Sequence, residues 1–269
     1  MEYLVNGKTL RYQPSNEALR GDDVVLLNQA RDLTQGQPWH KSGYSIEKLF
    51  EREGDYAIFI SACRELLYRC WREAGLNVPA DFSLEQYHVL ANNHSTHLSA
   101  IEKTRLLSLD DFPIPIHRIT ERVTEILNTK VEGHNPYDDQ RVFHFRVVRP
   151  CSGDNNPLHR DVWLEDYSDC INLYIPIAGS NLQSSLILLP GSHLWPESGL
   201  MRTADGAIID GVRFNVPAVT SIDREYKAVR PDPGRNQFLL FSPYLIHGGA
   251  TNFNEDETRI SIELRLWPV

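Results

Sequence analysis

After residue 140 the chain consists of short segments in which apolar residues either alternate with polar residues or form continuous runs, as they do in β-strands. Clusters of Gly, Pro, Asn and Asp separate most of them, and such clusters favour turns. The eight predicted strands are residues 142–148, 158–164, 170–177, 184–189, 227–229, 237–241, 244–247 and 258–267. A series of short strands separated by turns is typical of two packed antiparallel sheets. The pattern therefore predicts a mainly β protein with helices, built on a double-stranded β-helix (jelly-roll, cupin-like) core.

The region before residue 140 has helical periodicity instead. Apolar residues recur at intervals of three, four and seven over residues 45–74, with a break at Gly54, and another helix is predicted at about residues 115–128, after Asp110 and Asp111. Between these segments a helix is predicted from Asp81 or Ser83, either of which can cap it, to about residue 107. We expect these helices to pack against the β core.

The N-terminus and the later insertion complete the predicted organisation. Asn6-Gly7 lies between two strand-like runs, which is a strong signal for a β-hairpin. We interpret residues 1–139 as an N-terminal hairpin and helical support region and residues 140–269 as the jelly-roll core, together forming one domain. Residues 195–226 interrupt the regular strand spacing as a long loop, and such loops are usually functional or flexible.

Composition excludes several classes of partner. The chain has 269 residues and a net charge of −9, which argues against nucleic acid as a partner. Its four cysteines form no CxxC pair, and the N-terminus has no basic segment followed by an apolar one. No apolar run is long enough to cross a bilayer. We expect a cytoplasmic protein with reduced thiols and no membrane partner, and the oligomeric state stays open.

His159 and Asp161 are two residues apart in one predicted strand. Side chains at that spacing share a face of the strand. An imidazole beside a carboxylate supplies two of the three ligands of a 2-His-1-carboxylate site, which suits non-haem Fe²⁺ and leaves coordination positions open. His247 fits the third position, because distant strands become neighbours in a jelly roll. The alternative is a surface strand that carries the pair by chance.

Arg259 and Ser261 share a face of the last predicted strand. The Arg guanidinium matches a carboxylate through two parallel hydrogen bonds, and a Ser hydroxyl can add a third donor. Together they predict a site for the far carboxylate of 2-oxoglutarate, whose 2-oxo acid end can chelate the iron beside O₂.

The motifs in this order resemble those of the Fe(II)/2-oxoglutarate-dependent dioxygenase superfamily, and within it those of the phytanoyl-CoA dioxygenase family. The resemblance covers about residues 140–267. It rests on His159-Arg160-Asp161, residues 188–193, residues 233–241, His247-Gly248-Gly249, Asn252 and Arg259-Ile260-Ser261. It implies His159, Asp161 and His247 as ligands of Fe²⁺ and Arg259 as the anchor of the C5 carboxylate of 2-oxoglutarate.

The resemblance also implies residues beside the cosubstrate. Tyr174 stands where many relatives carry Trp, and Asn172 shares its strand face. Arg146, on the first core strand, either lines the same pocket or belongs to an exposed polar face. Halogenating relatives lack a carboxylate at the position of Asp161, so this residue favours hydroxylation.

The sequence thus predicts a non-haem Fe²⁺ dioxygenase that uses 2-oxoglutarate and O₂ and acts on a small molecule. The expected reaction is hydroxylation of an unactivated C–H bond in a small polar metabolite or a natural-product intermediate, while 2-oxoglutarate is decarboxylated to succinate and CO₂. Three alternatives stay open. One is a jelly-roll binding or regulatory module without turnover, the second is a different cupin-type metalloenzyme such as an isomerase, and the third is a hydroxylase that modifies proteins.

Overall fold

The computed structural model describes residues 1–152, 154 and 156–269. Over these residues the chain is mainly β with four helices: α1 (Glu53–Glu73), α2 (Tyr87–Leu90), α3 (His94–Thr104) and α4 (His117–Leu127). The strands, in chain order, are β1 (Glu2–Val5), β2 (Lys8–Arg11), β3 (Ala18–Arg20), β4 (Tyr44–Lys48), β5 (Leu107–Ser108), β6 (Val131–Glu132), β7 (Val142–Val148), β8 (Ile171–Ala178), β9 (Ile187–Leu188), β10 (Leu200–Thr203), β11 (Ala207–Ile209), β12 (Val212–Phe214), β13 (Val219–Ile222), β14 (Gln237–Phe241), β15 (His247–Gly248) and β16 (Arg259–Pro268).

Two groups of antiparallel strands form the core. The large sheet has the order β4-β14-β8-β16-β7-β5, with β6 pairing at the end of β16. In the smaller group β15 pairs with β9, and isolated bridges join His159 to His247 and Leu188 to Val229. Tyr174 of the large sheet and Leu188 of the smaller group belong to one buried cluster, so the two groups pack face to face. The predicted jelly-roll architecture is confirmed.

The two faces of the large sheet differ in polarity, because side chains alternate along each strand. One set of β16 residues packs into the main apolar core with α1, α3 and α4: Ile260, Ile262, Leu264 and Leu266. The alternate set lines a cavity between the two groups of strands: Arg259, Glu263 and Arg265. The helices thus cover the apolar face and leave the polar face for the cavity.

Residues 45–48, predicted as the start of a long helix, form strand β4 instead. β4 pairs antiparallel with β14 along its whole length, from Tyr44 opposite Phe241 to Lys48 opposite Gln237. The helix α1 begins only at Glu53. Pairing with the sheet edge overrides the local apolar spacing, which carries no information about a strand that is distant in sequence.

The helix predicted to run to about residue 107 is interrupted. A 3-10 turn leads into the single turn of α2, and α3 begins after Asn93. The Asn93 side chain accepts a hydrogen bond from the Thr96 backbone N–H at 2.9 Å, and this cap starts a separate helix. α4 lies where the third helix was predicted. No helix in the described ranges has both the length and the apolar character that a membrane crossing requires.

The N-terminal hairpin and the insertion are both built from short strands. β1 pairs with β2 as predicted. The insertion, expected as a long loop, contains the β11–β12 hairpin and strands β10 and β13, and β10 also pairs with β3. Asp210-Gly211 closes its hairpin with φ values of 50° and 78°, close to the 49° and 75° of Asn6-Gly7. Asp-Gly is itself a hairpin signal, so this part of the insertion was readable in the sequence.

Three other predicted strands are shorter in the structure than in the prediction. The segment 184–189 contributes only β9, the segment 244–247 ends in the two-residue β15, and 227–229 contributes one bridge at Val229. The smaller group of strands therefore has few ladder hydrogen bonds and is completed by loops around the cavity.

Candidate active site

His159 and Asp161 lie side by side although their segment is not a strand. Residues 158–164, predicted as a strand, have one bridge at His159 followed by a 3-10 turn at Asp161–Trp163. His159 exchanges backbone hydrogen bonds with His247 at 2.8 and 2.9 Å. The Asp161 N–H donates to the Pro243 carbonyl at 3.1 Å. These bonds bring His159 Nε2 to 3.3 Å from Asp161 Oδ1 without strand geometry.

His247 completes a cluster of three possible metal ligands. Its Nε2 atom lies 3.6 Å from Asp161 Oδ1. One donor atom from each of His159, Asp161 and His247 lies within 4.8 Å of the other two, and all three residues are buried. Two imidazoles and one carboxylate in this arrangement fit a non-haem Fe²⁺ ion and leave part of its coordination sphere open.

Backbone carbonyls orient the two imidazole rings. His159 Nδ1 lies 2.8 Å from the Pro157 carbonyl oxygen, and His247 Nδ1 lies 2.9 Å from the Leu245 carbonyl oxygen. A carbonyl oxygen only accepts, so Nδ1 carries the proton in each ring and donates it. In the neutral form of each ring the lone pair is therefore on Nε2, the nitrogen near Asp161, and this is the form that binds a metal ion.

Asp161 presents one oxygen to the imidazoles and uses the other for hydrogen bonds. Oδ2 accepts from Asn172 Nδ2 at 2.9 Å and from Arg265 Nε and Nη2 at 3.2 and 3.0 Å. Asn172, predicted to lie beside the cosubstrate, is thus engaged with Asp161. Sequence reasoning missed Arg265, although it shares the alternation of Arg259 and Ser261 along β16, and that alternation is the signal that points to it.

The protonation states of the cluster suit metal binding. Burial raises the pKa of Asp161, but Arg265 and the two imidazoles outweigh burial and hold this pKa well below its usual range. Burial lowers the pKa of His247 to about 4, against the opposing effect of Asp161. Near neutral pH the cluster therefore contains a carboxylate and a neutral His247, which are the forms that bind cations.

Arg259 is a buried cation in the same cavity. It is 1% exposed, its Nη1 donates to Ser261 Oγ at 2.9 Å, and its Nε has no hydrogen-bond partner among the described residues. Arg230 adds a second buried positive charge, whose pKa is lowered to about 10 by burial and by the charge of Arg259. A buried N–H without a partner costs free energy, so this end of the cavity fits a carboxylate such as the far end of 2-oxoglutarate.

Tyr174 and Arg146 line the cavity from the strands on either side of β16. The centroid of the Tyr174 ring lies 5.6 Å from the Arg259 guanidinium carbon, and the Tyr174 hydroxyl shares a hydrogen bond with Ser180 Oγ at 2.7 Å. Arg146 donates two hydrogen bonds to Glu263, at 3.2 and 3.1 Å. The Arg146 guanidinium is therefore already paired within the cavity wall, whereas that of Arg259 is not.

Arg160, between His159 and Asp161, is directed to the start of the insertion. It is fully buried, and its Nη2 donates to the Ser192 carbonyl at 2.7 Å. Its Nη1 lies 2.9 Å from Glu197 Oε1, while Glu197 Oε2 accepts from Trp163 Nε1 at 2.9 Å. The buried ion pair between Arg160 and Glu197 thus holds the turn that carries Asp161 in place.

Comparison with known proteins assigns the family. The sequence profile of the phytanoyl-CoA dioxygenase family matches residues 79–261, which is more than half of the chain. The chain belongs to the phytanoyl-CoA dioxygenase family. As a member, it is a non-haem iron oxygenase whose cofactor is Fe²⁺ and whose cosubstrates are 2-oxoglutarate and O₂. The three-donor cluster and the buried Arg259 are the features of this family member that suit an iron ion and a dicarboxylate.

Two solved structures align with this phytanoyl-CoA dioxygenase-family chain over most of its length. The apo form of the non-heme monooxygenase ThoJ aligns with a TM-score of 0.50 and 13% identity, covering 88% of this chain and 77% of ThoJ. EctD from S. alaskensis, solved with 2-oxoglutarate and 5-hydroxyectoine, aligns with a TM-score of 0.49 and 14% identity, covering 96% of this chain and 86% of EctD. At these identities the similarity concerns the fold alone. A search of the curated proteins gave no match.

Proposed function

We propose that the protein hydroxylates an unactivated C–H bond of a small polar metabolite or a natural-product intermediate. His159, Asp161 and His247 would bind Fe²⁺, and Arg259 with Ser261 would bind the C5 carboxylate of 2-oxoglutarate. The observation that carries this proposal is the approach of three buried donors to within 4.8 Å of one another, in a cavity that Arg259 also lines. Asp161 favours hydroxylation, because a carboxylate occupies the position that a halide ligand needs.

The residues of the chain have separate tasks in this reaction. Both imidazoles offer Nε2 and Asp161 offers Oδ1, while Asn172 and Arg265 hold the other carboxylate oxygen in place. Arg259 and Ser261 hold the cosubstrate by its far carboxylate, and burial keeps water away. His159, Asp161 and His247 would hold Fe²⁺, which would supply the redox chemistry by which one oxygen atom of O₂ enters succinate as 2-oxoglutarate loses CO₂, and the other enters the hydroxyl group of the product.

We also propose that the chain is one catalytic domain that works in the cytoplasm on a small-molecule substrate, without a nucleic-acid or membrane partner. β4 and β5, from the first half of the chain, are strands of the large sheet, which supports a single unit. All four cysteines are free, as is usual in a reducing compartment. The net charge of −9 disfavours binding to nucleic acid.

The test of the metal site compares His247→Ala with His134→Ala, a half-exposed histidine outside the cavity. Mn²⁺ affinity is measured by titration, and succinate formation is measured with Fe²⁺, 2-oxoglutarate and O₂. We expect His247→Ala to lose at least about 100-fold in Mn²⁺ affinity, more than removal of an outer-shell partner costs, and to lose succinate formation. Circular dichroism should show both variants folded. Equal Mn²⁺ affinity in the two variants would contradict the assignment.

The substrate class needs a separate measurement. A panel of small polar metabolites, natural-product intermediates and peptides is screened for stimulation of succinate formation, and products are analysed by mass spectrometry under ¹⁸O₂. We expect a small molecule to stimulate turnover and to gain one labelled oxygen atom. Stimulation by peptides alone, with active metal and cosubstrate binding, would reject the small-molecule assignment and retain the oxygenase.

A further inference from the structure

Three charged side chains form part of the wall of the catalytic cavity, and we call them the charged wall. Arg146 lies on β7, and Glu263 and Arg265 lie on the neighbouring strand β16. Their side chains are 32%, 21% and 19% exposed, whereas those of the three proposed iron ligands are at most 7% exposed. The charged wall is therefore more open than the metal site, and a molecule that enters the cavity from solvent can reach it.

Both arginines of the charged wall have one free nitrogen. Arg146 donates from Nε and Nη2 to the two carboxylate oxygens of Glu263. Arg265 donates from the same two nitrogens to Oδ2 of Asp161. A guanidinium has five N–H donors, and two of them are on Nη1. Neither Nη1 has a hydrogen-bond partner among the described residues and neither is fully buried, so each can donate to a ligand.

The residues that line the cavity carry one more positive charge than negative. The charged ones are three arginines and two acids: Arg146, Arg259, Arg265, Asp161 and Glu263. Burial raises the pKa of Glu263, but Arg146 and the other two arginines lower it to about 2, so Glu263 is a carboxylate near neutral pH. Fe²⁺ and the dianion of 2-oxoglutarate cancel each other in this count, and the two histidine ligands are neutral. One positive charge therefore stays unbalanced when both are bound.

The electrostatic potential beside the charged wall is positive. His144 lies opposite Glu263 on β7 and shares its strand face with Arg146. Burial lowers the pKa of His144 to about 4, and Arg265 lowers it further than Glu263 raises it. The arginines therefore outweigh the one carboxylate at this position, and such a potential favours an anionic ligand.

We infer that the charged wall binds a carboxylate of the substrate through the free Nη1 group of Arg146, with Arg265 adding a second positive charge. This inference rests on the proposed oxygenase function and narrows its substrate to a small molecule that carries a carboxylate besides the C–H bond to be oxidised. A carboxylate brings one negative charge, which matches the one unbalanced positive charge. A phosphate monoester would bring about −1.5 to −2 near neutral pH.

The experiment uses acetate as the probe, because a two-carbon carboxylate does not require the rest of a substrate to fit. Arg146→Gln/Glu263→Gln removes both charges of the ion pair, so it leaves no carboxylate unpaired and keeps the net charge of the cavity lining. The matched control is Arg118→Gln/Asp55→Asn, which removes a pair outside the cavity whose side chains are 33% and 29% exposed.

The full chain is loaded with Mn²⁺ and 2-oxoglutarate, whose affinities are titrated first in every protein, and circular dichroism measures folding. Binding of acetate, of neutral acetamide and of methyl phosphate is then followed by the proton line widths of their methyl groups. Mn²⁺ broadens these lines when the probe lies near it, and Zn²⁺-loaded protein is the diamagnetic reference.

We expect wild type and the control to bind acetate alike, at least about tenfold more tightly than acetamide and more tightly than methyl phosphate. Arg146→Gln/Glu263→Gln should bind acetate at least about tenfold more weakly, because a charge-assisted hydrogen bond is lost, and should keep its affinity for 2-oxoglutarate. Arg146→Lys keeps the charge beside Glu263 but has no second N–H edge, so it should lose acetate affinity in the same direction even if the double variant does not fold.

The inference is overturned if wild type does not bind acetate, binds acetamide as tightly or binds methyl phosphate more tightly. Unchanged acetate affinity in the folded Arg146 variants also overturns it, and is the result that acetate bound directly to Mn²⁺ would give. Loss of affinity for 2-oxoglutarate in these variants would assign Arg146 to the cosubstrate instead. A wild type that binds neither Mn²⁺ nor 2-oxoglutarate would reject the proposed function, and this inference with it.

Discussion

Arg259 is buried at 1% exposure with an N–H that lacks a partner among the described residues, so its environment is complete only when an anion binds. We expect Arg259→Ala to raise the KM for 2-oxoglutarate by at least about 100-fold, since a charge-assisted hydrogen bond contributes about 1.5–3 kcal/mol and two are lost. The KM of Arg259→Lys for 2-oxoglutarate should lie between those of wild type and Arg259→Ala, because an ammonium group cannot form two parallel hydrogen bonds to a carboxylate. Initial rates of succinate formation measure both.

The control for this prediction is Arg235→Ala, whose side chain is 69% exposed and pairs with Glu53 at the surface. It should leave the KM for 2-oxoglutarate unchanged. A KM for Arg259→Ala within twofold or so of wild type would remove Arg259 from the cosubstrate site.

Arg265 and Asn172 donate hydrogen bonds to Asp161 of the proposed metal site. We expect Arg265→Gln to weaken Mn²⁺ binding by about 10–100-fold, as loss of an outer-shell partner does, because Asp161 Oδ2 loses two hydrogen bonds and the carboxylate can rotate. Mn²⁺ titration followed by electron paramagnetic resonance measures the affinity. Arg141→Gln, at a half-exposed arginine outside the cavity, is the control. Unchanged affinity in Arg265→Gln would show that Asn172 alone fixes the carboxylate.

The residues of the candidate site differ in how well the sequence alone predicts them. His159, Asp161, His247 and Arg259 are readable because spacing and residue chemistry mark them. The alternation along β16 points to Arg265 as a residue on the face of Arg259, but the sequence does not show that Arg265 and Asn172 both contact Asp161. Those contacts depend on how β8 and β16 meet the turn at Asp161, and a linear sequence does not state which residues meet across strands.

Among the elements, the 3-10 turn at Asp161–Trp163 follows Arg160, which forms an ion pair with Glu197; the two residues are 0% and 5% exposed. We expect Glu197→Ala to lower the free energy of unfolding by about 3–5 kcal/mol, because it leaves a buried guanidinium without its counter-ion. Urea unfolding measures the change.

The matched control removes the acidic residue of an exposed ion pair. Asp223 pairs with Arg20, with side chains 47% and 46% exposed, and Asp223→Ala should cost less than about 1 kcal/mol. Similar losses in Glu197→Ala and Asp223→Ala would mean that water reaches the Arg160 site and that the pair does not fix the turn.

Elements were predictable where local pattern and tertiary pairing agree. Strands β7 and β14 match the predicted bounds, because the alternation in β7 and the apolar run in β14 are each typical of a strand in a sheet. The predictions of a helix at β4 and of a strand at 158–164 were wrong, because partners distant in sequence decide both structures. β4 pairs with β14, and residues 158–164 are held by backbone hydrogen bonds to Pro243 and His247.

At the scale of the whole molecule, one apolar core includes residues of α1, α4 and the large sheet, such as Phe59, Ile119 and Phe145. We expect urea unfolding to give coincident transitions by tryptophan fluorescence and far-ultraviolet circular dichroism, because neither the helices nor the sheet can lose this contact alone. Phe145→Ala should destabilise by about 3–5 kcal/mol and shift both signals together. A helical transition that separates from the sheet transition would contradict the single-domain assignment.

The hydrogen bonds that aim the two imidazoles arise from carbonyls two residues upstream of each ring, and they need no cation to form. Folding alone should therefore form the proposed metal site before Fe²⁺ binds. A chelator should therefore remove Fe²⁺ from the proposed site and leave a folded apoprotein that binds the ion again, without refolding of the polypeptide.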